Sequence, residues 1–489
     1  MSESQRPLPS FLESLIPIVF LISLLALNVI LFGDDTLGGP NQIVLLLAAG
    51  VAAIVAKRHG HNWKSIRGGM VKSISSAMPS MLILLLIGSL AGTWLLSGVV
   101  PALIYYGLKI INPTIFLFAA VIVSAIVSIA TGSSWSTIAT LGVALLGIGK
   151  ALGIHDGIVA GAIISGAYFG DKMSPLSDTT NLAPAMAGTD IFTHIRYMLY
   201  TTGPTFIITL IIFFIWGFTK DFSNTTTDVE GVLIAIENSF NITPWLFLVP
   251  VLLITVIVMK VPPLPALMTG TLLGVLFAII FQPDIVQQVA GNPDNKLSGL
   301  YMGSLKAMFG TIALTTEEAS INDLLSTSGM AGMLNTIWLI LSAMVFGGAM
   351  EKGGMLKAIS KTIIARVNST GSLVSATAGT CLFFNITASD QYMAIVVPGR
   401  MFAKVYKDRG LKPEVLSRTL EDTATVTSVL IPWNTCGATQ ATVLGVPTLT
   451  YLPYAFFNII SPFMTVLFAW LNIKIRRYKD GEAPEDTED

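Results

Sequence analysis

The sequence predicts an all-α polytopic membrane protein built as two inverted-topology repeats, with about ten crossings, two re-entrant hairpins and two broken helices. Three observations predict it: an apolar composition, a reversal of loop charge between the halves, and four short polar islands inside apolar segments.

Of 489 residues, 53% are hydrophobic and only 12% charged, against about 25% charged in soluble domains. Runs such as 11–32 and 203–218 approach the roughly 20 helical residues that cross a 30 Å hydrocarbon core. The first run contains Glu13 and has no small-residue cleavage pattern behind it, so it reads as a retained crossing rather than a signal peptide. A net charge of −1 with no basic domain gives no reason to expect nucleic acid as a partner; membrane lipid is the expected surroundings. Cys381 and Cys436 lie in apolar or hydroxyl-rich segments and read as buried thiols.

Cytoplasmic loops are enriched in Lys and Arg. The loop 33–40 is acidic, whereas 57–72 carries five Lys/Arg, so the first connection is expected outside and the second inside, with the amino terminus inside. Gly92, Gly98, Thr131, Ser133 and Pro175 recur as Gly347, Gly353, Thr387, Ser389 and Pro432, at an offset of about 255 residues. At that offset the basic loop 57–72 meets 312–327, with three acids and no Lys or Arg. The segment 145–162, with one lysine, meets 401–418, with five Lys/Arg. The acidic 220–230 meets the basic 473–480. Three sign reversals predict halves of opposite orientation, which requires an odd number of crossings in each.

The path that satisfies this has crossings at 11–32, 41–56 and 74–97, then an amphipathic interfacial helix over 98–112. A re-entrant hairpin spans 114–150, a broken helix 157–190, and a fifth crossing 197–218. The second half repeats it, with crossings at 242–260, 264–281, 332–350 and 451–472, a hairpin at 371–403 and a broken helix at 413–447. The repeats are therefore 1–225 and 226–472, with 282–331 an external insert and 473–489 an acidic cytoplasmic tail. Both termini are expected in the cytoplasm, and the protein in the cell membrane.

The islands carry the chemistry. In "GDKMSPLSDTTNLAP" (170–184), Pro175 lacks an N–H and disfavours helix in the residue before it, so the helix should break near Ser174. Freed backbone groups at mid-membrane are tolerated only where they line a protected cavity. The other islands are "TGSSWST" (131–137), "NITASDQY" (385–392) and "LIPWNTCGATQ" (430–440). Their carboxylate, hydroxyl and carbonyl oxygens are the ligand set a hard cation prefers. The candidate ion-binding and proton-coupling residues, and sodium ligands at the same positions, are Asp178, Asp390, Asp171, Ser133, Ser134, Thr137, Ser177, Thr179, Thr180, Asn181, Ser389, Asn434 and Thr435. The plainer alternative is that the hydroxyls only repair the broken backbone, while Asp171 and Lys172 pair with each other or reach toward the interface.

Lys172, Glu351, Glu421 and Asp422 are possible accessory groups. Glu421 and Asp422 read equally as a relay or a solvated helix start, and Glu351 with Lys352 as a juxtamembrane ion pair. Proton and cation competing for one buried carboxylate would suffice for exchange. All four histidines fall in predicted loops or at helix ends, which argues against an intramembrane serine protease. Asp178 and Asp390 could mimic an aspartyl dyad, but four islands would have no purpose there. No GxxxxGK[ST] loop is present, so an ATP-driven pump is disfavoured. The chain is expected to be a transporter rather than an enzyme, without a cofactor.

The segments "GSSWSTIATLG" (132–142), "GAYFGDKMSPLSDTTNLAP" (166–184) and "GAMEKGGML" (348–356) resemble hallmark segments of the NhaC-type sodium/proton antiporter family, and the resemblance spans nearly the whole chain. It implies an inverted-repeat ion transporter that exchanges sodium for protons by alternating access. The alternative it implies is a sodium- and proton-coupled organic anion exchanger such as a malate/lactate antiporter. The wider superfamily carries Ser-Asn-Thr sodium motifs at its hairpin tips. Here the tips read Ser133-Ser134 and Ser389-Asp390, with Asn434-Thr435 in a break, so the ligand set stays open. A homodimer is a further expectation.

Overall fold

The computed structural model describes residues 7–32, 38–110, 112–219, 229–291, 293–313, 325–364 and 367–478. The acidic loop at Asp34 and Asp35, most of 220–230, the acids of 314–324 and the tail beyond Tyr478 lie outside the described residues. Much of the charge comparison rests on them.

The first half opens with α1 (Phe11–Phe32), α2 (Pro40–Arg58) and α3 (Trp63–Leu96). The third runs 34 residues, so the basic segment after α2 is largely an extension of the crossing rather than a loop. Then comes α4 (Val99–Ile110). The helix expected to lie at the interface instead buries Val99, Val100, Ile104, Tyr105 and Leu108, because it packs against the returning hairpin arm. The hairpin consists of α5 (Phe116–Thr131), α6 (Ser134–Thr137), a π-helical turn Ile138–Gly142 and α7 (Val143–Ala151). The broken helix is α8 (Asp156–Met173) and α9 (Asp178–Ala187), and α10 (Ile191–Thr219) closes the half.

The second half begins with α11 (Val229–Ser239), α12 (Leu248–Val258) and α13 (Pro263–Phe281). The insert is ordered: α14 (Pro283–Ala290), α15 (Lys296–Phe309), and a pair of two-residue strands, β1 (Ile312–Ala313) and β2 (Ser326–Thr327), aligned antiparallel with Ile312 opposite Thr327. The hairpin follows α16 (Leu334–Lys352) and α17 (Met355–Ile364), and is built from α18 (Thr370–Thr387) and α19 (Gln391–Asp408). The second broken helix is α20 (Pro413–Leu420), a π-helical turn Glu421–Thr425, α21 (Val426–Ser428) and, past the break, α22 (Thr435–Leu444). Short α23 (Thr448–Tyr451) and α24 (Phe456–Trp470) end the chain.

Both halves place a short helix, a hairpin, a broken helix and a final span after their opening helices, but the second half opens with the bent pair α11–α12 and carries the insert helices α14 and α15. Among the described residues, seven helices are long and apolar enough to cross a membrane, or up to nine if each of two bent pairs, 229–258 and 448–470, is one span. The seven include the first hairpin arm, 113–131, which is not among the ten expected crossings; the two expected crossings missing from the count are 157–190 and 413–447, because a helix interrupted by its own break offers no continuous apolar length.

Two apolar cores form. One gathers around α4, α5, α7 and α8, the other around α1, α2, α16 and α18. Both broken helices divide between them: Tyr168 and Cys436 belong to the first core, Ala183 and Ala438 to the second. The breaks therefore fall where the cores meet. Close approach is secured by small residues, as is usual between membrane helices. A Cβ on Gly166 or Gly170 of α8 would lie 2.2 Å from the Val121 carbonyl oxygen or 2.4 Å from that of Ala125.

Candidate functional site

The first helix breaks where Pro175 demands. α8 ends at Met173, Ser174 is extended, and α9 starts at Asp178 with Ser177 as its cap, its hydroxyl accepting from the Thr180 N–H. The freed groups are met locally. Thr180 Oγ1 donates to the carbonyls of Asp171 (3.2 Å) and Lys172 (3.1 Å), and Ser174 Oγ to that of Ile129 (2.8 Å). Asn181 Nδ2 donates to the carbonyls of Pro175 and Ser177. For Thr180 and Asn181, repair of the backbone is what the geometry shows.

The first hairpin tip turns at Gly132, φ 69°, where a side chain would be strained and its Cβ would lie 2.5 Å from Leu176. Ser133 then caps α6. This brings Ser134 to Asp171, whose Oδ2 accepts both the Ser134 N–H (3.0 Å) and its hydroxyl (2.6 Å). Thr137 turns back to Thr131 at 3.3 Å. Asp171 stands on the wall of a cavity of about 380 Å³, together with Ser133, Ser177, Asp178, Thr179, Gln391 and Tyr392. Asp178 is exposed there, and Tyr392 donates to it at 3.4 Å. The tip of the second hairpin thus supplies part of the wall of the first break.

Lys172 points away from Asp171. It is fully buried and pairs with Asp422, equally buried, while also donating to Ser461 Oγ at 3.2 Å. Asp422 Oδ2 accepts from Thr201 at 2.8 Å. Its neighbour Glu421 is fully buried, accepts from Thr179 Oγ1 at 3.0 Å through Oε1, and has no partner for Oε2 among the described residues. These findings correct two sequence expectations. Lys172 is not the counter-ion of Asp171, and Glu421 and Asp422 are not a solvated helix start. Folding carries the second broken helix against the first, which sequence position does not reveal. Glu351 is exposed at the end of α16.

The second tip and break form a separate cluster. Ser389 sits at φ 59°, in the left-handed region that side chains avoid. Its carbonyl accepts the Thr435 N–H at 2.9 Å. Asp390 is buried and caps α19 through the Met393 N–H (3.0 Å), with Thr435 Oγ1 at 3.5 Å. Asn434 caps α22 and donates to the carbonyl (3.0 Å) and side chain (3.2 Å) of Asn385. The four islands therefore pair within each half, tip to break, and the pairs are linked by Tyr392 to Asp178 and Thr179 to Glu421.

Residues 166–473 match the Na+/H+ antiporter family. The chain belongs to that family. The NhaC Na+/H+ antiporter of Alkalihalophilus pseudofirmus is 36% identical over 89% of this chain and 91% of its own. A Bacillus subtilis malate-2H+/Na+-lactate antiporter is also 36% identical, covering 95% of each chain. The arginine/ornithine antiporter ArcD of Halobacterium salinarum is 33% identical over 98% of this chain and 96% of its own. The protein is a multi-pass membrane antiporter. Both breaks and the second tip lie inside the matched residues, whereas Ser133 and Ser134 precede them. Sequence reasoning missed four residues of this antiporter's polar interior: Asn385, Gln391, Tyr392 and Ser461. The first three lie within the island 385–392, but only their contacts distinguish them from its other polar groups.

Proposed function

We propose that this antiporter exchanges sodium for protons across the cell membrane by alternating access, with the cation held at the first break. One observation carries the reading: Asp171, buried and held by two hydrogen bonds from the Ser134 tip, on the wall of a cavity with Ser133, Ser177, Asp178 and Thr179. Carboxylate, hydroxyl and carbonyl oxygens suit a hard cation. A carboxylate that binds either a cation or a proton makes the two ligands competitors, which is the linkage exchange needs. Asp390, Thr435 and Asn434 would form the corresponding site of the second half. The proposal includes two inverted repeats, 1–225 and 226–472, moving as hairpin and broken-helix units against the remaining helices, with both termini cytoplasmic.

The test is sodium-dependent collapse of an imposed pH gradient in proteoliposomes. No sodium dependence would sink the reading. Organic anion coupling is the second reading, favoured by the similarity to the malate/lactate antiporter. Acceleration of sodium flux by malate or lactate under a fixed pH gradient would establish it in place of simple exchange.

A further inference from the structure

A second cavity, of about 400 Å³, is lined by Ile87, Leu95, Val143, Lys150, Ser328 and Thr442 among others. It stands in line with the first. On α3, Ile83 lines the first cavity and Ile87 the second, so along that helix only one turn, about 6 Å, separates them. On the returning hairpin arm, Ser136 lines the first and Val143 the second, and the π-helical turn Ile138–Gly142 lies between. The septum is completed by α22, which packs against that π-helical turn and against α3 and reaches the second cavity with Thr442, Val443 and Leu444.

In that part of α22 is a side chain with no structural employment. Gln440 is fully buried, and neither its amide nitrogen nor its oxygen has a hydrogen-bond partner among the described residues. A buried, unsatisfied carboxamide costs free energy unless something else uses it. Gln440 lies on the helix face of Cys436 and Val443, the latter lining the second cavity. The adjacent Thr439 hydroxyl is likewise buried and unpartnered.

We propose that the ion route of this antiporter runs through the septum between the two cavities, and that Gln440 lines it, its carboxamide oxygen replacing water around the cation in passage. This rests on the reading that the first cavity holds the transported cation. The described state is closed: Gln440 is sealed in, and the route opens when the first hairpin arm and α22 separate.

The experiment measures sodium binding and exchange on the same Gln440→Leu protein, with binding followed by sodium-dependent thermal shift and exchange in proteoliposomes. The expected result is unchanged sodium affinity with exchange slowed about tenfold or more, the equivalent of one lost contact to a charged group. Wild-type exchange overturns the proposal. So does a parallel loss of binding, which would make Gln440 part of the site instead of the route. If the variant does not fold, Ser136→Cys and Thr442→Cys decide, labelled by a membrane-impermeant thiol reagent above the background of the buried Cys381 and Cys436. Labelling from opposite sides of the membrane supports the route, and labelling of both from one side overturns it. Asp171→Asn is run alongside: unaltered exchange there overturns the site reading itself.

Discussion

Removing Lys172 tests how the two broken helices are held together. Its ammonium and the Asp422 carboxylate are both fully buried, on α8 and on the π-helical turn of the second broken helix. Truncating one partner of such a pair strands the other charge, at a cost of about 3–5 kcal/mol. The two single variants should differ. In Lys172→Met, Asp422 keeps hydrogen bonds from Thr201 at 2.8 Å and Ser461 at 3.5 Å, which places the loss near the lower bound, about 3 kcal/mol. In Asp422→Ala, the hydrogen bond Lys172 keeps among the described residues is to Ser461, with the face of the Phe457 ring at 5.7 Å, so the loss should approach about 5 kcal/mol. The double variant Lys172→Met/Asp422→Leu leaves no stranded charge and should return to within about 1 kcal/mol of the parent, because a buried pair contributes little net stability over apolar packing. Unfolding by SDS titration, followed through the eight tryptophans, measures all three. Single variants as stable as the parent, or a double variant as unstable as the sum of the singles, would refute the reasoning.

Ser134→Ala removes the 2.6 Å hydroxyl contact to Asp171 but leaves the N–H contact; sodium affinity, read by titration of exchange rate, should change about tenfold, the worth of one hydrogen bond to a charged group. Lowering the pH should weaken sodium binding, since the proton occupies the carboxylate the cation needs; an apparent sodium KM that stays flat from pH 8 to about 6 would contradict competition. Ser389→Gly relieves the left-handed backbone at φ 59° and removes a buried hydroxyl that has no partner among the described residues, and should leave stability equal or raised by about 1 kcal/mol in the same SDS titration. Gly166→Ala puts a Cβ 2.2 Å from the Val121 carbonyl oxygen and should destabilise by about 1–3 kcal/mol as α8 is forced off α5.

The helical breaks were legible because proline acts locally. Pro175 disfavours helix at Ser174, and the helix does end at Met173, although Pro79, Pro204 and Pro398 sit inside continuous helices, so proline marks a break without deciding it alone. The oxygen-rich composition of the islands was legible for the same reason. Partnership was not. Asp178, adjacent to the break, is exposed, whereas Asp171, seven residues earlier, is the one buried against the opposing tip. Nothing in "GDKMSPLSDTT" distinguishes them, because burial is decided by the hairpin that packs alongside.

That this chain is a membrane bundle with interrupted helices and oxygen-bearing breaks follows from its residues alone, since composition, proline and hydroxyl spacing act within a few residues. It took the folded chain to show that Lys172 answers Asp422, that the second hairpin walls the first break, and that Gln440 is buried without a partner among the described residues. Those depend on contacts between segments up to 250 residues apart, and in a chain this uniformly apolar no local pattern specifies which polar group will meet which.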